Sequence, residues 1–161
     1  MTSVPEITVT LLERRRIEAE ILKHVHDALV EDVGEERAKA SIAKAIRRAA
    51  AEAGAKAAAK TGGKPGTRSL AAIQGTWSAG GALELEVTEL TDTAYSYKVT
   101  RCVYAEMYEE LGMRDLGLVI SCLRDSAFIE GYAPDLEMER PRTIMEGKDS
   151  CVFRYKVKEG K

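Results

Sequence analysis

Three cysteines and two acids in the C-terminal half are the residues whose types could make a reactive centre. Cys122 and Asp125 stand three positions apart in "SCLRDSAF", which puts both side chains on one side of a helix. A carboxylate on so apolar a run is costly unless a partner meets it. Cys102 ends an alternating segment and opens a helical one, where unpaired backbone N–H groups and the helix dipole favour a thiolate. Glu106 follows one turn later on the same face and can accept or deliver a proton. Cys151 starts the alternation Cys151, Phe153, Tyr155, Val157, opposite Arg154 and Lys156, so its sulfur is expected on the buried face. All three thiols can then point into one space.

The two histidines, His24 and His26, lie two residues apart near the N-terminus and face different directions. Without a histidine in the catalytic half, proton transfer would fall to Asp125 and Glu106 rather than to a Ser-His or Cys-His relay. Three thiols and a carboxylate could also hold zinc. The cysteines at 102, 122 and 151 lack the close pair common in zinc sites, however, and no metal ligand or cofactor is assigned. Taken singly, each cysteine reads more readily as a small buried hydrophobe than as a reactive group. Asp125 reads equally well as an ion-pair partner of Arg124, Arg140 or Arg142. Arg140 and Arg142 share one face if their strand is regular. They are then either a solvated edge protected by Pro141 or a guanidinium fork for a substrate carboxylate.

The elements that must position these groups follow from periodicity. Leu11, Leu12, Ile17, Ile21, Leu22, Val25, Leu29 and Val30 recur at helical spacing over 11–31. After Gly34 a second, Ala-rich helix runs towards "TGGKPG", giving a helical hairpin. "ALELEVTEL" and "AYSYKVTRC" alternate around the turn "TDT" and predict a β-hairpin. "VYAEMYEELGM" and "DLGLVISCLRDSAFIEGY" predict two helices split near Gly112. "LEMERPRTIM" and "SCVFRYKV" predict two further strands, joined through Gly147. The order ββααββ after a helical hairpin implies an α+β fold, a four-stranded antiparallel sheet covered by helices on one face. The expected division is a helical region over 1–61, a Gly-rich linker over 62–68 and an α+β domain over 69–161.

Charge is divided between these regions. Residues 35–68 hold nine Lys or Arg against three Glu, whereas the whole chain of 161 residues has a formal net charge of -2. With no aromatic residue interleaved, the basic segment reads as a solvated helix and linker rather than a nucleic-acid tail. No apolar run reaches the length of a membrane span, and "MTSVPEITVTLLERRR" lacks the pattern of an export signal. A cytoplasmic protein with reduced thiols and no membrane partner is expected. A homo-oligomer would form through the N-terminal helices.

The linked motifs "TRCVYAEMYEELG", "CLRD", "RPRTIMEG" and "CVFRY" resemble the L-2-amino-thiazoline-4-carboxylic acid hydrolase family, over roughly residues 77–155. One departure is Ala133, where an Asn often precedes the proline. The family pattern falls on Cys102, Glu106, Cys122, Asp125, Arg140, Thr143, Gly147 and Cys151. The resemblance implies hydrolytic opening of a C–N bond in a small cyclic amidine toward a carbamoyl-cysteine product. In that scheme Cys102 is the first-choice nucleophile and Cys151 the second, Asp125 or Glu106 moves the proton, Arg140 holds the substrate carboxylate, and Thr143 bonds the ring substituent. A small-ligand or metal-binding regulatory module with a thiol-lined cavity is the alternative.

Overall fold

The computed structural model describes residues 8–160. The first seven residues, on which the expectation of no export signal partly rests, lie outside them. Thr10 opens the first helix, α1 (Leu11–Val33), with a reciprocal capping box: its hydroxyl accepts from the Glu13 N–H while the Glu13 carboxylate accepts from the Thr10 N–H. Gly34, at φ 83°, turns the chain into α2 (Glu35–Ala58). A shorter helix, α3 (Thr67–Ser78), precedes the hairpin of β1 (Leu83–Leu90) and β2 (Ala94–Cys102). Then follow α4 (Val103–Glu110), α5 (Arg114–Gly117), a π-helical turn (Leu118–Cys122) and α6 (Leu123–Tyr132). Strands β3 (Leu136–Glu139) and β4 (Cys151–Val157) complete the chain.

The sheet is antiparallel in the order β1-β2-β4-β3. Its buried face pairs Tyr95 with Tyr155, Tyr97 with Phe153 and Val99 with Cys151, so aromatic rings stack across β2 and β4. The predicted α+β fold and its ββααββ order are thus present, with Lys98, Arg154 and Lys156 on the face away from the core. The alternation of β4 fails at its end, where Val157 is exposed.

Two apolar cores result. One joins the sheet to Leu70 of α3 and to Ile129 and Tyr132 of α6; the other joins Ala19, Ile42, Ile46, Tyr108, Leu116 and Ile120 of the helices. The Ala-rich helix read as solvated buries one ridge, Ala38, Ile42, Ile46, Ala50 and Gly54, at four-residue spacing. That ridge meets α6 backbone to backbone. A Cβ on Gly54 would collide with the Phe128 carbonyl, and one on Gly131 with the Ala51 carbonyl. The stripe on α1 also divides. Leu12, Ala19, Leu22 and Leu29 face the helical core, while Ile17, Ile21 and Val25 face outward.

The third predicted strand is shorter than expected. Regular pairing stops at Glu139, because Pro141 has no N–H to donate and the chain turns through residues 140–147. Arg140 and Arg142 therefore do not share a strand face. Arg114 holds this loop by donating to the carbonyls of Ile144 and Met145 at 2.9 and 3.1 Å.

Candidate functional site

Where the two cores meet, a cavity of about 140 Å³ is left between α1, α2, α3, α6 and the buried face of the sheet. An apolar cavity of about 150 Å³ holds one benzene ring. This one is therefore sized for a single small ring. Its walls include the aromatic residues Trp77, Tyr97, Tyr104, Phe128 and Phe153, and its polar groups are Arg15, Gln74, Ser121, Arg124, Asp125 and Cys151. Burial pushes the Tyr104 hydroxyl up to about 12, and that hydroxyl donates to the Trp77 carbonyl at 3.0 Å.

Asp125 is the titrating group of this wall. It leaves α6 beside the π-helical turn, and local departures of this kind recur at functional sites. Its side chain keeps 39% of its accessible surface, and the residue lines the void. Crowding by protein atoms nevertheless dominates. Desolvation pushes the carboxyl up to about 6, against the opposing pull of Arg140, which donates a short hydrogen bond to it. Arg140 also donates to the Cys122 carbonyl at 2.9 Å and lies 5.6 Å from the centre of the Phe153 ring. Of the three arginines that the sequence offered as partners, Arg140 is the one paired with Asp125, and it orients the carboxylate.

The thiols are unequally placed. Cys151 lines the cavity, and its sulfur accepts from the Ile144 N–H at 3.2 Å. Cys102 sits at the junction of the two cores and Cys122 packs against the helical one; neither is in the cavity wall. The expectation that Cys102 ionises readily is reversed. Burial pushes its thiol up to about 11, outweighing the N–H groups of Tyr104 and Ala105 at the start of α4. Burial likewise raises Cys122 and Cys151. Among the described residues, no three His, Cys, Asp or Glu side chains are grouped so as to hold a metal ion.

Glu106 does not join Asp125. It lies on the exposed side of α4, where Arg101 donates to it at 2.8 and 3.1 Å and holds its carboxyl below the usual range. Thr143 is buried away from the cavity, exchanging hydrogen bonds with Glu146 across one turn. Arg140 is committed to Asp125 and is not part of the wall. The sequence reading missed Arg15, Gln74 and the aromatic lining. Gln74 did leave a signal: it falls between Leu70 and Trp77 on the apolar side of α3, where a polar side chain calls for an explanation.

The fold and this hollow define a class, α+β domains in which helices and one sheet face border a small hollow. Two solved structures share the fold. The phenol-responsive sensory domain of the transcription activator PoxR, determined with phenol, is 10% identical, with a TM-score of 0.56 over 92% of this chain and 76% of that one. Trafficking protein particle complex subunit 3 from Naegleria fowleri, covalently bound to palmitic acid, is 12% identical, with a TM-score of 0.54 over 91% and 96%. No curated protein matches the sequence. Residues 14–155 match the L-2-amino-thiazoline-4-carboxylic acid hydrolase family, and the chain belongs to that family. The match reaches back over both N-terminal helices, beyond the span of the motifs.

Proposed function

We propose that this chain hydrolyses a C–N bond of a small cyclic amidine of the 2-amino-thiazoline-4-carboxylate type inside the cavity, with Asp125 as the proton-transfer group and Cys151 as the nucleophile. The observation that carries this reading is the Asp125 carboxyl. Held at about 6 in the wall of a one-ring cavity, it accepts and returns protons near neutrality. Cys151 shares that wall; Cys102, the first choice from the sequence, does not.

The Cys151 thiol is pushed up by burial, so a free thiolate is scarce and its proton must leave as the sulfur attacks. Asp125 takes that proton while Sγ adds to the ring carbon between sulfur and nitrogen. It passes the proton to the departing ring nitrogen, and the C–N bond breaks. Water then adds to the same carbon, giving up a proton to Asp125, and Cys151 leaves as a thiol with the proton returned. The product is a carbamoyl-cysteine, and the oxygen comes from water. Glu106 and Thr143 have no part in these steps. Turnover of 2-amino-thiazoline-4-carboxylate by the alanine variants of Cys102, Cys122 and Cys151 tests the scheme. Near-normal rates in all three would remove the covalent step and leave Asp125 to activate water directly.

A second reading is a small-ligand sensor. It is favoured by the aromatic wall and by thiols held neutral, and it suits the likeness to a sensory domain determined with phenol. Saturable binding of the ring without product would select it. Assembly with a second copy would use the outward stripe of Ile17, Ile21 and Val25. An antiparallel partner would bring the exposed cations at the start of α1, Arg14 and Arg16, to its acidic end, Glu31 and Asp32. Light scattering of the Ile21→Asp variant tests this: a dimer that becomes a monomer supports the interface, and an unchanged mass removes it. Among the described residues no helix is long and apolar enough to cross a membrane.

A further inference from the structure

The cavity is bordered by more positive charge than its carboxylates neutralise. Arg15 of α1 and Arg124 of α6 both line it, and both side chains are largely sheltered, at 18% and 15% exposure. They donate to the same oxygen, Oε2 of Glu18, at 2.7 and 2.9 Å. Arg140 is matched by Asp125. Two sheltered guanidinium groups thus share one carboxylate, and Arg14 draws on the other oxygen of that carboxylate at 3.0 Å. Burial and the nearby Arg15 charge both lower the Arg124 pKa, as expected for a cation short of counter-charge.

Gln74 of α3, 5% exposed, also lines the cavity. Its Nε2 donates to the Ser78 hydroxyl at 3.3 Å, while its buried Oε1 has no partner among the described residues. A buried acceptor without a donor is an unfavourable state of the free protein that a ligand N–H would relieve.

We propose that the cavity recognises its ligand at two points: Arg15 and Arg124 take a carboxylate, and Gln74 Oε1 takes an N–H carried by the ring. The inference rests on the cavity being the substrate site. It replaces Arg140, which holds Asp125, with Arg124 of the "CLRD" motif and with Arg15, which lies outside every motif. It also gives α1 a direct role in specificity. The ligand class is that of the proposed reaction, a small ring with an N–H donor and a carboxylate; the surplus cation and the unanswered acceptor are the groups that would meet those two features.

Calorimetry on the full chain with two probes, 2-amino-thiazoline-4-carboxylate and 2-amino-thiazoline without the carboxylate, tests this. The parent protein is expected to prefer the carboxylate by roughly tenfold or more, as suits a charge-assisted contact. Arg15→Gln should erase the preference while the ring without a carboxylate binds as before, and Arg15→Lys should restore part of it. Glu18→Gln should enlarge the preference by freeing both guanidinium groups. Gln74→Leu should weaken both probes alike by roughly tenfold. Arg15→Gln and Glu18→Gln variants that keep a folded circular-dichroism spectrum and the parent preference would overturn the carboxylate contact. Unchanged affinity in Gln74→Leu would overturn the N–H contact. Following product separates the two ideas. Ring opening with an unaltered preference in Arg15→Gln keeps the hydrolase and removes this inference, preference without product does the reverse, and binding of neither probe removes both.

Discussion

Two depressions on this molecule are built from similar charged residues and put them to opposite use. In the surface basin between α1, α2 and the α4–α5 turn, each cation meets an acid in the open: Lys23 meets Asp27 at 2.8 Å, Lys39 meets Glu35 at 2.9 Å and Arg114 meets Glu109 at 3.3 Å. Hydrogen bonds from Lys23 and Lys39 hold Asp27 and Glu35 below the usual carboxylate range. In the cavity, desolvation by the surrounding protein outweighs the pull of Arg140, and Asp125 is pushed up to about 6. Pairing alone does not make a carboxylate inert. The number of protein atoms around it decides whether it stays charged near neutrality.

The largest expected effect comes from removing the cavity's acid. Asp125→Asn should lower ring-opening turnover by about 10²–10⁴-fold, the usual range for a proton-transfer group, whereas Asp27→Asn in the basin should leave turnover unchanged. Steady-state rates of the two variants check the contrast. Next is Gly131→Ala, whose added methyl would collide with the Ala51 carbonyl across the α2–α6 contact that closes the cavity. It should destabilise the fold by about 3 kcal/mol, at the upper end of overpacking costs, as read by urea denaturation.

A smaller effect lies in the pH profile. Turnover should rise with pH through about 6 as Asp125 ionises, then level off without waiting for a thiol to ionise. A rate that keeps climbing beyond pH 9 would mean that a preformed thiolate attacks instead. The smallest effect is on stability. The folded state raises the Asp125 pKa, so it binds that proton more tightly than the unfolded chain. This contribution is fullest below about pH 4 and is lost as pH rises to about 6. Asp27 and Glu35, both lowered, contribute with the opposite sign: their share is present above the unfolded range and is lost as pH falls below it. Melting curves of Asp125→Asn and Asp27→Asn between pH 3 and 7 should therefore diverge from the parent in opposite directions.

Much of the fold could be read along the chain because its signals are local. The hairpin at Thr91–Thr93, the helix break at Gly112 and the alternation of Cys151, Phe153 and Tyr155 each depend on a few neighbouring residues. Arg140 shows where such reading stops. A regular strand would have set it beside Arg142, but pairing ends at Glu139 and the side chain turns to Asp125.

By itself the sequence determined the family and the α+β order, and it marked Cys102, Cys122, Cys151, Glu106 and Asp125 alike as residues fit for chemistry, because motif spacing and periodicity are properties of one segment at a time. Only the tertiary structure decided that Cys151 reaches the cavity while Cys102 and Cys122 stay in the surrounding packing, that Glu106 faces solvent, and that Arg15 and Gln74 line the cavity. Those outcomes depend on how helices far apart in the chain settle against one sheet. Burial, which fixes the charge state of every group involved, arises from that packing and cannot be assigned to a residue alone.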